Sequence, residues 1–489
     1  MRLVVRNLID QFNSLNQRGD RIGSGHGFPR VFRDKRYSTF HKHGGRDNHF
    51  QGVQRIGRHL LITGSYPYRG RRSDLFVVRL DTRSPDSGPW GSNMLRSRDP
   101  DKTDRLTNYF KIDGEYWHPG GFSMLGTTAV VPLEDSEGRS KIVFVDVSDP
   151  DNPSVIPNKS IRRGDSKAGA CAVTQLGPTE GLLAVWSDSD FKKPGASRNP
   201  PYHLDLYRFD PTDLPGNQSR LAPVAQYFPT QTHSFHRKFQ SLDFVWDKQD
   251  DGSEQLHLLG YENVSDVQPN PLDPGKNVGL VFRVDLDSIP SSPPAAGNPT
   301  PALPSSFVSK KAEREFQTSG NWCNMDAGTG TYVDSSRQLI VYSVYHFMAR
   351  VHGRNILTIK ALEFRATNFT EEVTRLEDGW VDVYEDLGLD GRRLSILGPW
   401  DASIEDTDEA FVDDRSFAAA ASVRYQIPDG LAYVLYPDKR FSGAGALVLA
   451  GDGMRKEIDL LTTDFEGHFR SARFQLESVA RALPGAIIV

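Results

Sequence analysis

Apolar and polar positions alternate along short stretches of this chain, and the stretches recur. The fullest is Ser140–Val155, SKIVFVDVSDPDNPSV, with shorter versions at Ser73–Asp81, Tyr202–Asp210, Val278–Asp287 and Asn355–Phe364. Each has the period of two that puts successive side chains on opposite faces of a sheet. Ahead of each marker lie two further apolar stretches. The first set begins at His49, His118, Ala168, Lys238 and Ala327 and carries small residues at Gly52, Gly121, Ala172, Ser241 and Gly330. The second set reads HLLITGSY, TAVVPLED, LLAVWSDSD, LHLLGYEN and LIVYSVYHF. A weaker fourth strand is expected after each marker, as in Ala222–Phe228. Four antiparallel strands repeated five times predict an all-β protein built as a five-bladed β-propeller, with six or seven blades as the alternative. Small residues in the first strand suit blades that crowd an axis. The Pro-rich stretch Pro290–Pro304 is expected to be a mobile surface loop.

The expected organisation is an N-terminal extension over residues 1–48, the propeller over 49–366, a linker over 367–379 and a second β domain over 380–489. Within the extension, MRLVVRNLIDQFNSLNQ reads as a short amphipathic helix, because Arg6, Asn7, Asp10 and Gln11 interrupt its apolar positions.

Two stretches resemble known families. The VFVDVSDPDNP segment is similar to the LVIVD-type propeller repeat, which implies the fold and no activity. Beyond Trp380, Tyr384, Leu389 and Gly391 match Tyr436, Phe441 and Gly443, a paired pattern that resembles the Greek-key motifs of βγ-crystallins. That resemblance implies a βγ-crystallin-like sandwich. Many such domains bind calcium through carboxylate and carbonyl oxygens. Phe417–Ser422 lacks the carboxylates, and Asp413, Asp414, Asp464 and Glu466 are the residues left to hold calcium if any is bound.

Composition narrows the function classes. The 489 residues carry 37% hydrophobic and 10% aromatic positions, with 43 Gly and 31 Pro for the many turns. A net charge of −5 gives no general affinity for nucleic acid or anionic membrane, and no apolar run suits a membrane-spanning helix. Only Cys171 and Cys323 are present, so no disulfide framework is expected. A soluble, cytoplasmic protein is the expectation, with secretion the alternative.

Candidate chemistry gathers where the first strands begin. His49 and His118 hold the same place in two repeats, and Lys238, Gln240 and Asp326 follow in similar registers. Such a ring would converge on one ligand at the axis. His49, His118 and Asp326 are the candidate catalytic or metal-binding set, imidazoles serving as acid or base and the carboxylate orienting one of them. Second strands end in acids, Glu134, Asp188 and Glu262, of which Glu134 and Glu262 join His49, His118, Lys238 and Gln240 as expected ligand-binding residues. Asp326, Asp243 and Glu134 form a trio of the kind propeller glycosidases use. His41, His43 and His49 fit no strong zinc spacing, and His233 and His236 read as loop residues. Three functions follow: binding of a small organic molecule, glycan or peptide; a hydrolase, cyclase or isomerase in the same funnel; or a scaffold whose polar axis only satisfies itself.

Overall fold

In the computed structural model, described residues fall in 2–22, 50–66, 72–79, 105–187, 202–264, 276–317 and 325–367, with short breaks inside some of these, and in the strands of 380–488 with their immediate flanks. The chain divides into two compact units. One holds Met1–Asp81, Gly88–Val333 and Leu339–Asn368; the other holds Phe369–Val489 with two short pieces, Thr82–Ser87 and Asp334–Gln338.

The first unit is a β-propeller. It opens with β1 (Val4–Arg6), the helix α1 (Leu8–Ser14) and β2 (Asp20–Ile22). The first blade is β3 (Phe50–Ile56), β4 (His59–Tyr66), β5 (Arg72–Arg79) and β6 (Arg105–Asp113). The second has an inner strand broken into β7 (His118–Pro119) and β8 (Ser123–Leu125), then β9 (Thr128–Glu134), β10 (Ser140–Asp146) and β11 (Ser154–Gly164). In the third, β12 (Ala170–Gly177), β13 (Glu180–Ser187), β14 (His203–Phe209) and β15 (Ala225–Tyr227) follow in order. The fourth is β16 (Ser241–Lys248), β17 (Glu254–Val264), β18 (Lys276–Val284) and β19 (Val308–Phe316). Last come β20 (Thr329–Val333), β21 (Leu339–Val351) and β22 (Arg354–Arg365), whose outer partner is β2 from the start of the chain, paired antiparallel as Asp20↔Glu363 and Ile22↔Ala361.

Both faces of a blade are buried. In the second blade Ala129, Val131, Leu133, Val143 and Val145 pack against Leu61, Leu75 and Val77 of the first. Their strand neighbours Val130, Ile142 and Phe144 pack the other way, against Val173, Leu183, Val185 and Tyr207 of the third. The alternation that would separate core from solvent in a half-exposed sheet here separates two cores.

At the hub the inner strands meet through backbone. Gly121 bridges the second and third blades, its N donating to Gly169 O at 3.0 Å and its O accepting from Cys171 N at 2.9 Å. Thr329 pairs in parallel with Gly52 between the fifth and first. Glycine is required at two of these contacts. A Cβ on Gly121 would overlap the Gln240 carbonyl oxygen, and one on Gly330 would overlap that of Val53. Gly330→Ala is therefore expected to cost about 1–3 kcal/mol, the range for overpacking a filled site. Gly177→Ala, whose Cβ would meet only the Glu180 side chain at 3.8 Å, is the matched control in urea unfolding.

Two expectations change. The N-terminal segment is a strand and then a helix, not a helix throughout. β1 runs parallel to β16 with Val4 opposite Trp246, because Val4 and Val5 are β-branched and buried there. Asn7 takes the left-handed conformation at φ 52° that lets the chain turn into α1, and Asp247 Oδ1 accepts the Leu8 N–H at 3.1 Å, as an N-cap would. Nor does the Pro-rich segment end as a loose loop. Gln226 N donates to Pro301 O at 2.8 Å and Leu303 N to Gln226 O at 2.7 Å, so Pro301–Leu303 covers the outer edge of the third blade.

The second unit is a pair of sheets, antiparallel except where β31 (Ile487–Ile488) runs parallel to its neighbour. Its strands are β23 (Trp380–Tyr384), β24 (Arg393–Leu397), β25 (Ser403–Ile404), β26 (Ser422–Gln426), β27 (Leu431–Tyr436), β28 (Leu447–Ala450), β29 (Arg455–Asp459), β30 (Ser471–Leu476) and β31 (Ile487–Ile488). One sheet runs β24-β23-β26-β29 and the other β25-β30-β27-β28-β31. The third strand of each half thus sits in the sheet of the other half. Val381, Val423, Tyr425, Val434, Leu435 and Val448 are buried.

Candidate functional site

Inner strands begin, and second strands end, on one rim of the propeller. His118 opens the second blade there, paired with Glu134 at the end of β9. Gly120 and Gly121 then break the strand before β8, so His118 and Pro119 are held as a separate two-residue piece. The His118 ring is half-buried. Its Nδ1 lies 3.6 Å from Glu134 Oε2, and its Nε2 lies 3.1 Å from Gln51 Nε2 of β3. An amide N–H donating to Nε2 puts the ring proton on Nδ1, facing the carboxylate. Trp117 packs edgewise on the ring, centroids 5.4 Å apart.

Glu134 is buried, and its Oε1 accepts the Ala168 N–H at 2.7 Å. Burial alone would raise its carboxyl; His118, Lys167 and the Ala168 N–H outweigh that and hold it below the usual carboxylate range. Glu262 occupies the corresponding strand end in the fourth blade, and its environment acts the other way. Burial dominates and raises it, against Arg237, whose Nη1 donates to Oε1 at 2.8 Å, and the Lys238 backbone. Lys238 itself is exposed, and Gln240 is half-buried with its N–H donating to Tyr261 O at 3.1 Å.

On the third blade the same rim is aromatic. Tyr202 stacks on Trp186 at 5.7 Å with planes 7° apart, and His236 meets Tyr202 edge-on at 4.3 Å. His203 packs against the exposed Phe228 at 5.6 Å. Beneath them Arg163 reaches from β11 to pair with Asp205, while donating to Ser187 Oγ at 2.9 Å and Tyr207 OH at 3.2 Å. His233 behaves as a loop residue, its Nδ1 accepting the Phe235 N–H at 3.1 Å.

The structure thus brings His118 and Glu134 together, and Glu262 with the Lys238 backbone. His49, Asp326 and Asp188 lie outside the described residues, as do Asp413, Asp414, Asp464 and Glu466. Asp243 does not face a surface groove: it is 0% exposed at the hub. Gln51, Trp117, Arg237 and the Arg163–Asp205 pair escaped the sequence reading. Gln51 alone carried a usable signal, lying two positions beyond His49. Among the described residues no group of three or more His, Cys, Asp or Glu is placed to hold a metal ion, and no helix is long and apolar enough to cross a membrane.

No protein-family model matches the chain, and no curated protein does. Several solved structures are similar at low identity. A family 43 β-xylosidase/α-arabinofuranosidase from a compost microbial metagenome, in complex with xylotriose and calcium-free, is 11% identical over 70% of this chain and 95% of its own, with a TM-score of 0.34. A family 43 glycoside hydrolase enzyme from Xanthomonas citri complexed with xylose is 9% identical over 72% and 92%, TM-score 0.35. A thermostable family 43 glycoside hydrolase is 11% identical over 64% and 88%, TM-score 0.31.

Proposed function

We propose that this protein is a ligand-binding propeller, closed as a ring of five blades, whose site lies on the rim where the inner strands begin. The ligand class is a small polar molecule rich in hydroxyls, such as a glycan. The observation that carries this reading is the half-buried His118 ring, oriented by the ionised Glu134 and by Gln51 beside Trp117. Such a constellation sets a fixed, half-buried imidazole next to an aromatic face, groups of the kind that recognise a hydroxylated ring. Glycan arrays and metabolite capture test it. His118→Ala and Glu134→Gln should each weaken retention by about 10- to 100-fold, the worth of one or two hydrogen bonds to charged or oriented groups. Equal retention by wild type and both variants, with unchanged circular dichroism, would remove the site.

A second reading, hydrolysis in the same place, is favoured by the opposed shifts of Glu134 and Glu262 at corresponding strand ends. One carboxyl held ionised and another raised is how acid and base roles are divided. Here Glu262→Gln would abolish turnover of aryl glycosides, and equal turnover by wild type and variant would remove this reading.

For the second unit we propose a βγ-crystallin-type domain over 380–489 joined by a linker over 367–379. The exchange of third strands between its sheets supports this, together with the Tyr436 motif residue, buried at 2% exposure at the end of β27. Its role in this reading is a rigid accessory module.

A further inference from the structure

We propose that the Asp243 carboxyl is a proton-sensitive latch that fastens the inner strand of the fourth blade to those of the first, second and fifth. Asp243 is the third residue of β16, and an inner strand directs alternate side chains at the axis. Its Oδ1 accepts from Gln54 Nε2 of β3 at 2.8 Å, and its Oδ2 accepts from the Thr331 N–H of β20 at 2.8 Å. The Ser123 side chain of β8 also bonds to it. Gln54 donates on to Phe122 O at 2.9 Å, and Thr331 Oγ1 lies 2.9 Å from Tyr261 OH of β17. One side chain therefore ties four of the blades, and it does so without a contact to any residue of the rim site described above.

The groups around this carboxyl decide how it responds to pH. Gln54, Ser123 and Thr331 are uncharged. The ionisable neighbours are Tyr261 from β17 and Cys171 from β12, both pushed up by burial and so uncharged at neutral pH. Burial raises Asp243 to about 7, opposed by the Thr331, Gln54 and Ser123 hydrogen bonds that favour its ionised form. A carboxyl raised on folding binds more protons in the native than in the unfolded state. Its contribution is therefore complete below the unfolded value near 3.8 and is lost as pH rises through about 7. The fold as a whole is therefore most stable on the acid side of neutrality, where no charge is buried at this carboxyl, and loses stability above it, opposite to what a salt-bridged aspartate gives.

The test is urea unfolding of the full chain between pH 5 and pH 8, wild type against Asp243→Asn. Other titrating groups contribute equally to both proteins, so the difference between their profiles isolates this one. The wild-type folded-to-unfolded ratio, relative to the variant, should fall by about tenfold or more across that range. Parallel profiles would overturn the latch. Gln54→Leu provides a second, independent measurement should the asparagine variant fail to fold. It removes a donor that favours the ionised form, so the pH midpoint of the wild-type loss should move upward; an unmoved midpoint would equally overturn it. Protection of the Thr331 amide against hydrogen exchange, corrected for intrinsic base catalysis, should drop above pH 7 in the wild type, and constant protection would count against the latch.

Discussion

Replacing Phe12 by alanine is expected to cost about 3–5 kcal/mol, among the largest single-site losses in this protein. Phe12 is fully buried on a helix of only seven residues, too short to be stable by itself. What holds α1 is tertiary. Phe12 meets Phe316 edge-on with centroids 6.4 Å apart, and Phe316 in turn meets Phe364 at 4.9 Å, so the ring joins the outer strand β19 of the fourth blade to β22 of the fifth. Around it, polar contacts run in both directions. Gln11 Oε1 accepts the Leu339 N–H at 2.8 Å where β21 begins, Asp247 caps the helix, and Arg314 reaches the Asn13 and Leu15 carbonyls. Further toward the start, Arg2 lies over the Trp246 ring at 4.4 Å and donates to Gln175 O at 2.7 Å. Residues 2–22 thus bind the third, fourth and fifth blades and complete the last sheet through β2. Urea unfolding of Phe12→Ala checks the magnitude. Removal of residues 1–22 should go further and abolish cooperative unfolding, since it strips β22 of its outer partner and uncovers the Phe316 and Phe364 rings. A truncated chain with wild-type stability would show that the segment only decorates the ring.

This clasp marks the boundary of what the chain discloses in one dimension. Strand after strand was legible from period-two alternation, because a blade forms from residues near one another in sequence. The Asp20–Ile22 strand was not. DRI carries one apolar residue and no period, and its partners Ala361 to Glu363 lie more than three hundred residues away. The same physics divides the site. Glu134 and Glu262 were visible because second strands repeat, so equivalent ends can be aligned by register. Which of them is held ionised and which is pushed toward neutrality depends on whether burial is outweighed, as it is at Glu134 by His118, Lys167 and the Ala168 N–H, or prevails, as it does at Glu262 over Arg237, a balance that only folding supplies. Asp243, expected in an acid trio of the kind propeller glycosidases use, is enclosed instead, because Gln54 and Thr331 of other blades occupy its oxygens, and no pattern in the sequence places them there. Arg163, in the stretch IRRG, reads as an exposed position of a weak outer strand, yet its side chain is 1% exposed.

Arg163→Met is the other substitution expected to act strongly, costing about 3–5 kcal/mol because it strands a buried carboxylate. Asp205 is 5% exposed and takes Arg163 on Oδ2, with Gln226 Nε2 on Oδ1 at 2.7 Å and His203 Nε2 at 3.6 Å. Burial would raise its carboxyl, but Arg163, then His203 and Gln226, overcome that and depress it far below the usual range. A depressed carboxyl contributes stability that is complete above its unfolded value, about 3.9, and is lost as pH falls through the lower folded value. Without the guanidinium, burial governs and the direction reverses: Asp205 then destabilises the fold progressively as pH rises above about 4. The deficit of Arg163→Met relative to wild type should accordingly be small near pH 4 and widen toward pH 7, which urea midpoints across that interval will read. Tyr207 and Ser187 lose a partner at every pH and set the constant part of the deficit. Adding Asp205→Leu should recover most of the loss, since two apolar residues can fill such a site about as well as an ion pair. A deficit independent of pH, unrelieved in the double variant, would mean that Arg163 acts through its packed stem and its bonds to Tyr207 and Ser187, with the charge of Asp205 playing no part.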